Sequence, residues 1–310
     1  MDKILSIIWN VTYKCRWKCK FCIMDAGSCG APNKKELSLK EKLQICRNID
    51  IPNVKVDLSG GEVMCDKKQH LILIDELSNK LGKDSVGIST SGFRINMKTA
   101  KFLSKRVHDV EMTMDAVPGV HYEYREDAYH ETAGNAAKNL KKAGIYTGLQ
   151  TVLTREHMEH QELLVGLRDF MVENKIDEWS LIRYFPSGRG EHFKDLAMTD
   201  EENLYLVNKI KDICEGTDIN LDIHYLLPGS PKDHQCRCVK KSIGILPDGN
   251  VTACFWGLDD SGSIKDSKFY LGNLLDQPLS EILESENAVY WKKYCGGCPR
   301  LTEVADEKSY

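Results

Sequence analysis

Short β-branched segments alternate with longer amphipathic segments along the first two thirds of the chain. The pattern predicts six strands, at 4–11, 54–58, 85–90, 109–114, 146–153 and 179–184. Helices are predicted between and after them, at 67–81, 98–107, 135–143, 160–174 and 199–214, and an earlier one begins at a capping box of Ser38 and Glu41. Because parallel neighbours need crossover helices, this order predicts an α/β fold with a parallel sheet, doubly wound or curved into a barrel.

A different pattern begins after about residue 225. Proline and glycine precede a predicted hairpin, whose strands at 242–246 and 251–254 are joined by Pro247-Asp248-Gly249-Asn250. A short helix is predicted at 279–286, and a pair of cysteines follows it. We therefore expect two domains, a large one at 1–225 and a small one at 226–310.

Charge and hydropathy exclude several classes of partner. The 42 basic and 46 acidic residues give a net charge of -4, without the basic surface that nucleic acid or an anionic membrane requires. The longest early apolar run, 4–9, is far shorter than the roughly 18 residues of a membrane span and lacks a signal-peptide cleavage pattern. We expect a soluble, cytoplasmic protein, in which the 12 cysteines are metal ligands or catalytic groups rather than disulfides.

Three of those cysteines, Cys15, Cys19 and Cys22, lie within eight residues directly after the first predicted strand. Thiolates at this spacing can converge on an iron–sulfur cluster or on structural zinc, with Cys29 as a fourth zinc ligand. Plain buried cysteines are the other alternative. Three ligands on a four-iron cluster would leave one iron open to a small molecule.

The CxxxCxxC pattern, with Phe21 before the third cysteine, resembles the signature of the radical S-adenosylmethionine (radical SAM) superfamily. The resemblance covers about residues 4–225 and implies a partial (β/α)6 barrel. It implies that Cys15, Cys19 and Cys22 hold a 4Fe-4S cluster whose open iron chelates SAM. One electron, from a donor such as flavodoxin or ferredoxin, would then cleave SAM to methionine and a 5'-deoxyadenosyl radical.

Other motifs fall where this superfamily contacts SAM. Ser59-Gly60-Gly61-Glu62 resembles its GGE motif, in which bare glycine backbone allows close approach and the Glu62 carboxylate can receive an ammonium group. The resemblance assigns contacts with the ribose, carboxylate and adenine of SAM to residues at the ends of later strands. These are Ser89, Ser91, Thr113, Asp115, Gln150 and Leu153. Ordinary loop starts are the alternative reading of such positions.

A second group of cysteines lies in the small domain. It comprises Cys236, Cys238, Cys254, Cys295 and Cys298. Alone, its two close pairs would favour a zinc ribbon. Together with the Pro-Asp-Gly turn, their spacing resembles the SPASM/twitch extension of radical SAM enzymes, in a short version that implies one auxiliary 4Fe-4S cluster.

The small domain has five cysteines for the four ligand positions of an auxiliary cluster. The family's spacing selects Cys236 and Cys254 with Cys295 and Cys298, which leaves Cys238 spare. The alternative set uses Cys238 and leaves Cys254 spare. Of the remaining cysteines, Cys46 and Cys214 lie in helical patterns and are predicted core residues, whereas Cys29 and Cys65 lie near the predicted SAM site.

The resemblance implies abstraction of hydrogen from an unactivated C–H bond. A spare thiol, Cys238 or Cys254, could return hydrogen to the opposite face and so epimerise the substrate. Transfer of an electron to the auxiliary cluster with loss of a proton would instead oxidise an alcohol. Similarity to aminoglycoside-pathway epimerases and inosamine dehydrogenases favours a small-molecule substrate, a sugar, aminoglycoside or cyclitol of antibiotic biosynthesis.

Two alternatives stay open at this point. One is a peptide-modifying epimerase or thioether maturase, although the early position of Cys15 leaves no room for an N-terminal peptide-binding domain. The other is a non-enzymatic protein with two zinc sites. Candidate substrate-binding groups are the polar and aromatic residues expected at the barrel mouth, namely Asn10, His121, Tyr122, Tyr124, Arg125, Arg183, Arg189 and Trp256.

Overall fold

The computed structural model describes residues 4–27, 35–232, 234–299 and 301. Cys29 lies outside the described residues. The strands are β1 (Leu5–Asn10), β2 (Val54–Ser59), β3 (Val86–Thr90), β4 (Asp109–Thr113), β5 (Tyr146–Leu153), β6 (Glu178–Arg183), β7 (Asn220–Ile223), β8 (Ser242–Ile245), β9 (Asn250–Thr252) and β10 (Tyr270–Asn273). The helices are α1 (Leu39–Asn48), α2 (Lys67–Leu81), α3 (Met97–Leu103), α4 (Tyr129–Lys142), α5 (Arg155–Glu159), α6 (Glu162–Asn174), α7 (Asp200–Cys214), α8 (Leu279–Ile282) and α9 (Glu286–Lys293).

The parallel α/β fold is confirmed. One sheet contains all the described strands, in the order β10-β9-β8-β1-β2-β3-β4-β5-β6-β7. Every pairing from β1 to β7 is parallel, and helices cross over between the strands. The six predicted strands are present, and β7 adds a seventh that is too short to give a clear period-two pattern.

The hairpin of the small domain joins the same sheet. Strand β8 pairs in parallel with β1, with Ser6 opposite Ser242 and Trp9 opposite Ile245. Strand β9 then turns back antiparallel to β8. The predicted hairpin is therefore present, and it continues the sheet beyond β1, on the side opposite β7.

Side chains on the barrel strands alternate between an apolar outer face and a polar inner face. On β2, Val54, Val56 and Leu58 are buried against the helices, whereas Lys55 and Asp57 line the interior. Strand β4 repeats the pattern. Because parallel strands are usually apolar on both faces, the alternation marks a sheet curved around a polar space.

Local signals fix several helix boundaries. The predicted capping box of Ser38 and Glu41 starts α1, and Thr199 caps α7 in the same way. Gly144, with a φ of 76°, follows α4. Helix α4 starts at Tyr129, six residues before the predicted start, and the predicted helix at 279–286 is two helices, α8 and α9. Among the described residues, no helix has the length and apolarity of a membrane span.

Candidate active site

A central cavity of about 560 Å³ lies inside the barrel and reaches cysteines of both groups. Most of the predicted site residues line it, and these are Cys15, Cys19, Phe21, Cys22, Ser59, Gly60, Gly61, Ser89, Ser91, Thr113, Gln150, Cys238 and Cys254. The others lie outside its lining, namely Glu62, Asp115, Leu153, Cys236, Cys295 and Cys298. The barrel thus brings the two cysteine groups to one internal space.

The first cysteine loop alternates between the cavity and solvent. Cys15 and Cys19 are buried, whereas the intervening Arg16 and Lys18 are exposed. Trp17 lies between them, donating its backbone N–H to Cys15 Sγ over 3.4 Å and its indole N–H to Ser91 Oγ over 2.8 Å. The loop therefore presents sulfur inward and positive charge outward.

The raised pKa values of these thiols fit ligands of a positively charged metal group. Burial raises the pKa of Cys15 and of Cys19, and in each case neighbouring cysteines of the loop raise it further. Arg125 opposes the shift at Cys19 alone. Three soft donors facing one cavity are the ligand set of an iron–sulfur cluster, which would supply the positive charge that the thiolates lack.

Gly60 and Gly61 pack against the backbone of the cysteine loop. Gly61 N donates to Thr12 O over 2.7 Å, and Glu62 N donates to Lys14 O over 2.8 Å. A Cβ on Gly60, whose φ is +133°, would lie 2.7 Å from Thr12 O, and one on Gly61 would overlap the Lys14 carbonyl. In the structure this bare backbone admits the loop that carries the cysteines, and close approach of SAM to it stays a prediction.

The Glu62 carboxylate is buried and hydrogen-bonded to protein groups. It is 1% exposed and accepts from the Thr90 hydroxyl over 2.7 Å, Ser91 N over 2.8 Å and Met64 N over 2.8 Å. Burial raises its pKa. Its oxygens hold the end of β3 beside the glycines, and its contact with an ammonium group stays a prediction.

Asp115 and Arg125 form a buried ion pair next to the cysteine loop. Arg125 Nε donates to Asp115 Oδ2 over 2.6 Å, and Val152 N donates to Asp115 Oδ1 over 3.0 Å. The guanidinium lies over the rings of Phe21 and Tyr129, at 4.5 Å and 4.9 Å from their centroids. Arg125 lines the cavity and Asp115 does not, so a cation faces the space beside Cys19.

Four members of the second cysteine group lie near Tyr225. The Cys238 thiol forms hydrogen bonds with the thiols of Cys236 and Cys254. These hydrogen bonds raise the pKa of Cys238, lower the pKa of Cys236 to about 6 and lower the pKa of Cys254. Together with Cys298, these three lie close enough to Tyr225 to add to the rise that burial causes in its pKa.

Cys295, a member of both predicted sets, is apart from that group. It is exposed, and its thiol donates to Lys293 O over 3.2 Å. The neighbouring Gly296 carbonyl accepts from Cys236 N over 3.1 Å, which ties the Cys295–Cys298 turn to the first cysteine of the group. Hydrogen bonds therefore link Cys236, Cys238 and Cys254, Cys298 lies near Tyr225 with them, and the choice of four ligands stays a prediction.

A charged wall that sequence reasoning missed lines another part of the cavity. Lys55 Nζ lies 3.0 Å from Asp109 Oδ1 and 3.4 Å from Asp57 Oδ1. A Cβ at Gly87 would meet Asp109 Oδ2 at 3.1 Å and overlap Asp57, so this glycine makes room for the carboxylates. Charged residues two positions apart on β2, and likewise on β4, face the same side of the sheet. This spacing was the sequence signal for the charged wall.

Glu111 is a carboxylate of this wall with a raised pKa. It accepts from Gln150 Nε2 over 2.9 Å and from Ser180. Burial raises its pKa to about 7, and the neighbouring charges of Glu178, Asp57 and Asp109 act in the same direction. Near neutral pH this group can accept a proton or bind a cation.

The predicted substrate-binding residues divide into two groups. Asn10, Arg125, Arg183 and Trp256 line the cavity, whereas His121, Tyr122, Tyr124 and Arg189 do not. Arg189 instead donates to Cys19 O over 2.9 and 3.0 Å and to Asp25 over 2.7 Å, which braces the cysteine loop. Cys46 is a core residue, as expected, whereas Cys65 and Cys214 are half-buried.

Two family models match the chain. Residues 9–165, about half of it, match the radical SAM superfamily, and residues 236–299 match SPASM, an iron–sulfur cluster-binding domain. Mycofactocin maturase MftC of Mycolicibacterium smegmatis is 26% identical over 89% of this chain and 68% of its own length. Molybdenum cofactor biosynthesis protein moc-5 of Caenorhabditis elegans is 24% identical over 89% of this chain, which spans only 47% of that protein.

The fold is shared with solved structures. Streptococcus suis SuiB bound to S-adenosylmethionine superposes with a TM-score of 0.73 at 17% identity, over 96% of this chain and 74% of SuiB. SuiB is also known in complex with its precursor peptide SuiA. At this identity, the likeness establishes the fold.

Proposed function

Because the chain belongs to the radical SAM superfamily, with a 4Fe-4S cluster, SAM and a SPASM iron–sulfur domain, we propose that it modifies an unactivated carbon of a hydroxylated, amine-bearing small molecule. Aminated sugars, aminoglycosides and cyclitols are the substrate class, and epimerisation or alcohol oxidation is the reaction. One observation carries the proposal. Cys15, Cys19 and Cys22 line the same internal cavity as Cys238 and Cys254.

The residues around the first cysteine loop form the cofactor end of the site. Cys15, Cys19 and Cys22 would hold the cluster, which with SAM supplies a 5'-deoxyadenosyl radical that abstracts hydrogen. Arg125 offers its guanidinium to the carboxylate of SAM, and Asp115 orients that guanidinium from outside the cavity. Ser89, Ser91, Thr113 and Gln150 are the polar groups available to the rest of SAM.

The charge of the cavity wall supports an amine-bearing substrate. Five carboxylates line the cavity, at Asp57, Asp109, Glu111, Glu178 and Asp222. Lys55 pairs with two of them and Lys232 pairs with Asp222, whereas Arg183 pairs with Asp200 outside the lining over 2.6 Å. Carboxylates accept hydrogen bonds from hydroxyl and ammonium groups, so the excess of negative charge favours a polyhydroxylated cation.

Whether Cys238 and Cys254 are both cluster ligands determines whether the reaction is epimerisation or oxidation. If one of them is not a cluster ligand, its S–H faces the substrate space and can return a hydrogen atom to an inverted carbon. If both are ligands, the auxiliary cluster would accept one electron from the substrate radical and a base would take its proton, so that the alcohol carbon becomes a carbonyl. The two products differ in mass by two hydrogen atoms.

The test uses the reconstituted, reduced protein with SAM and a panel of aminoglycosides and aminocyclitols in deuterium oxide. We expect SAM cleavage that depends on one substrate of this class, with deuterium at an inverted carbon for epimerisation or a carbonyl for oxidation. Stimulation of SAM cleavage by a peptide alone would reject the small-molecule substrate. Iron analysis comes first, because about eight irons per chain fit two clusters, whereas two zinc ions and no iron would reject the enzyme.

Peptide maturation is the second candidate, and the comparisons are what favours it. MftC is a maturase by name, and SuiB binds a precursor peptide. A short precursor gene beside the gene for this chain would supply the peptide to test. Cleavage of SAM that requires this peptide, with a mass change on it, would establish the alternative.

A further inference from the structure

We propose that the surface over the first cysteine loop is the docking site of an acidic one-electron carrier protein, which reduces the cluster. The site is a basic face formed by Arg16, Lys67, Arg94 and Lys98. The inference rests on the proposal that Cys15, Cys19 and Cys22 hold the cluster. One electron passes from the carrier, which is oxidised, to the cluster, which is reduced.

Two of the cations, Arg16 and Arg94, flank the Phe93 ring, and Lys67 lies close to Arg94 and Lys98. The guanidinium of Arg16 is 5.6 Å from the Phe93 ring centroid, and that of Arg94 is 4.9 Å from it. Lys67 Nζ donates to the Arg94 carbonyl over 3.0 Å. Burial lowers the pKa of Lys67, and the positive charges of Arg94 and Lys98 lower it further, as expected for cations held close together.

These cations lack acidic partners within the part of the chain that the structure describes. No ion pair involves Arg16, Lys67, Arg94 or Lys98 there, whereas the neighbouring Asp66 is taken by Lys14 over 2.9 Å. Arg16, Arg94 and Lys98 are exposed. In a chain with a net charge of -4, an uncompensated basic face is suited to an acidic protein surface.

The position of this face favours a redox partner over other anions. Arg16 follows Cys15 directly, and its backbone N–H bonds to the Cys65 thiol beside the GGE turn. Trp17 lines the internal cavity and also, with Arg16, a shallow depression on the outside. One residue, Trp17, therefore lines both the cysteine cavity and the outer depression, so a carrier docked on this side is separated from the cavity by a single residue.

Glu126 and Asp127 limit the basic face on one side. They line the same depression as Arg16, and Glu126 accepts from Lys18 N over 3.0 Å. The charge therefore changes sign across the depression. Such an edge orients a partner whose own charge is uneven, in addition to attracting it.

The test measures the binding of oxidised flavodoxin, an acidic carrier, to the reconstituted protein by calorimetry. The variants are Arg16→Glu and Lys98→Glu, and Lys142→Glu, an exposed lysine on α4, is the matched control. Lys98 stands in the first turn of α3, where a glutamate is favourable to the helix, so this variant keeps the fold. We expect Lys98→Glu and the double variant to weaken binding by about tenfold or more at low salt, and the difference to vanish at high salt.

A chemical reductant separates docking from catalysis. SAM cleavage driven by dithionite should be the same in Lys98→Glu and the unchanged protein, whereas cleavage driven by reduced flavodoxin should fall with the loss of binding. Unchanged flavodoxin binding in Lys98→Glu, or an equal loss in Lys142→Glu, would overturn the docking site. Absence of dithionite-driven SAM cleavage in the unchanged protein would instead reject the proposed function, because the binding measurement does not depend on cleavage.

Discussion

Arg125 faces the cavity while Asp115 holds its guanidinium from behind, through a 2.6 Å ion pair in which the side chains are 8% and 0% exposed. Removing one partner from such a pair leaves a buried charge without compensation. We expect Asp115→Asn to lower the free energy of unfolding by about 3–5 kcal/mol. It should also weaken SAM binding, because the guanidinium loses its fixed orientation.

Chemical unfolding and SAM titration measure the two effects of this substitution. Glu123→Gln is the control, since its ion pair with Lys20 has the same 2.6 Å separation on the exposed surface and should have no measurable effect on stability. Equal stability losses in the two variants would show that burial does not govern the pair.

Gly61→Ala should remove the first cluster without unfolding the chain. Its Cβ would overlap the Lys14 carbonyl, so the cysteine loop must move away from the end of β2. We expect iron content to fall by about half and SAM cleavage to be lost, with an unchanged circular dichroism spectrum.

Gly27→Ala is the matched control in the same loop. A Cβ there meets no atom within 4 Å, so this variant should keep its iron. If Gly61→Ala also keeps full iron content, then close packing of these glycines against the loop is not what positions the cysteines.

Cys238→Ser and Cys254→Ser should behave differently from each other. The variant at a cluster ligand should lose about half of the iron, whereas the variant at a spare thiol should keep all of it. If the protein is an epimerase, the iron-retaining variant should still cleave SAM but no longer incorporate deuterium at the inverted carbon. Loss of iron in both variants would leave no spare thiol and would favour oxidation.

Glu111→Gln should stabilise the protein above neutral pH. Since burial raises the pKa of Glu111 from 4.5 to about 7, the folded chain binds one more proton than the unfolded chain between those values. Stability therefore falls as pH rises through that window. At pH 8 the variant should exceed the unchanged protein by at most about 3 kcal/mol, and at pH 4 the two should be alike.

Melting temperatures between pH 4 and 8 test this prediction, with the exposed Glu173→Gln as control. In the proposed enzyme, ionised Glu111 binds the cation, so Glu111→Gln should also weaken substrate binding above pH 7. A pH-independent difference in melting temperature would show that Glu111 ionises normally.

Sequence periodicity predicted the barrel because its strands and helices have strong local signals. Helix α2 follows its predicted bounds of 67–81, and the capping box of Ser38 and Glu41 marks the start of α1. Strand β7 escaped prediction because a segment as short as Asn220–Ile223 carries too few residues to define a period, and the helix predicted at 279–286 covers α8 but only the first residue of α9. Pairing of β8 with β1 depends on residues far apart in the chain, which local patterns do not report.

In the site, too, features set by neighbouring residues were predictable from the sequence, whereas contacts between distant segments were not. The loop from Cys15 to Cys22 was visible as spacing, and its facing the cavity agrees with that spacing. The roles of Glu62 and Arg189 were not visible, because their partners Thr90 and Cys19 come from distant segments. Lys55 and Asp57 could have been found, since charged residues alternating with valine in a parallel strand indicate a polar lumen.

The pairing of β8 with β1 has a consequence for the order in which the chain is made. Strand β1 leaves the ribosome before β8, the strand that covers its free side, which comes more than 230 residues later. Until then its backbone N–H and C=O groups form an open edge, the kind of surface on which nascent chains aggregate. A chain ending before Ser242 would keep that edge permanently, so the small domain also protects the barrel from self-association.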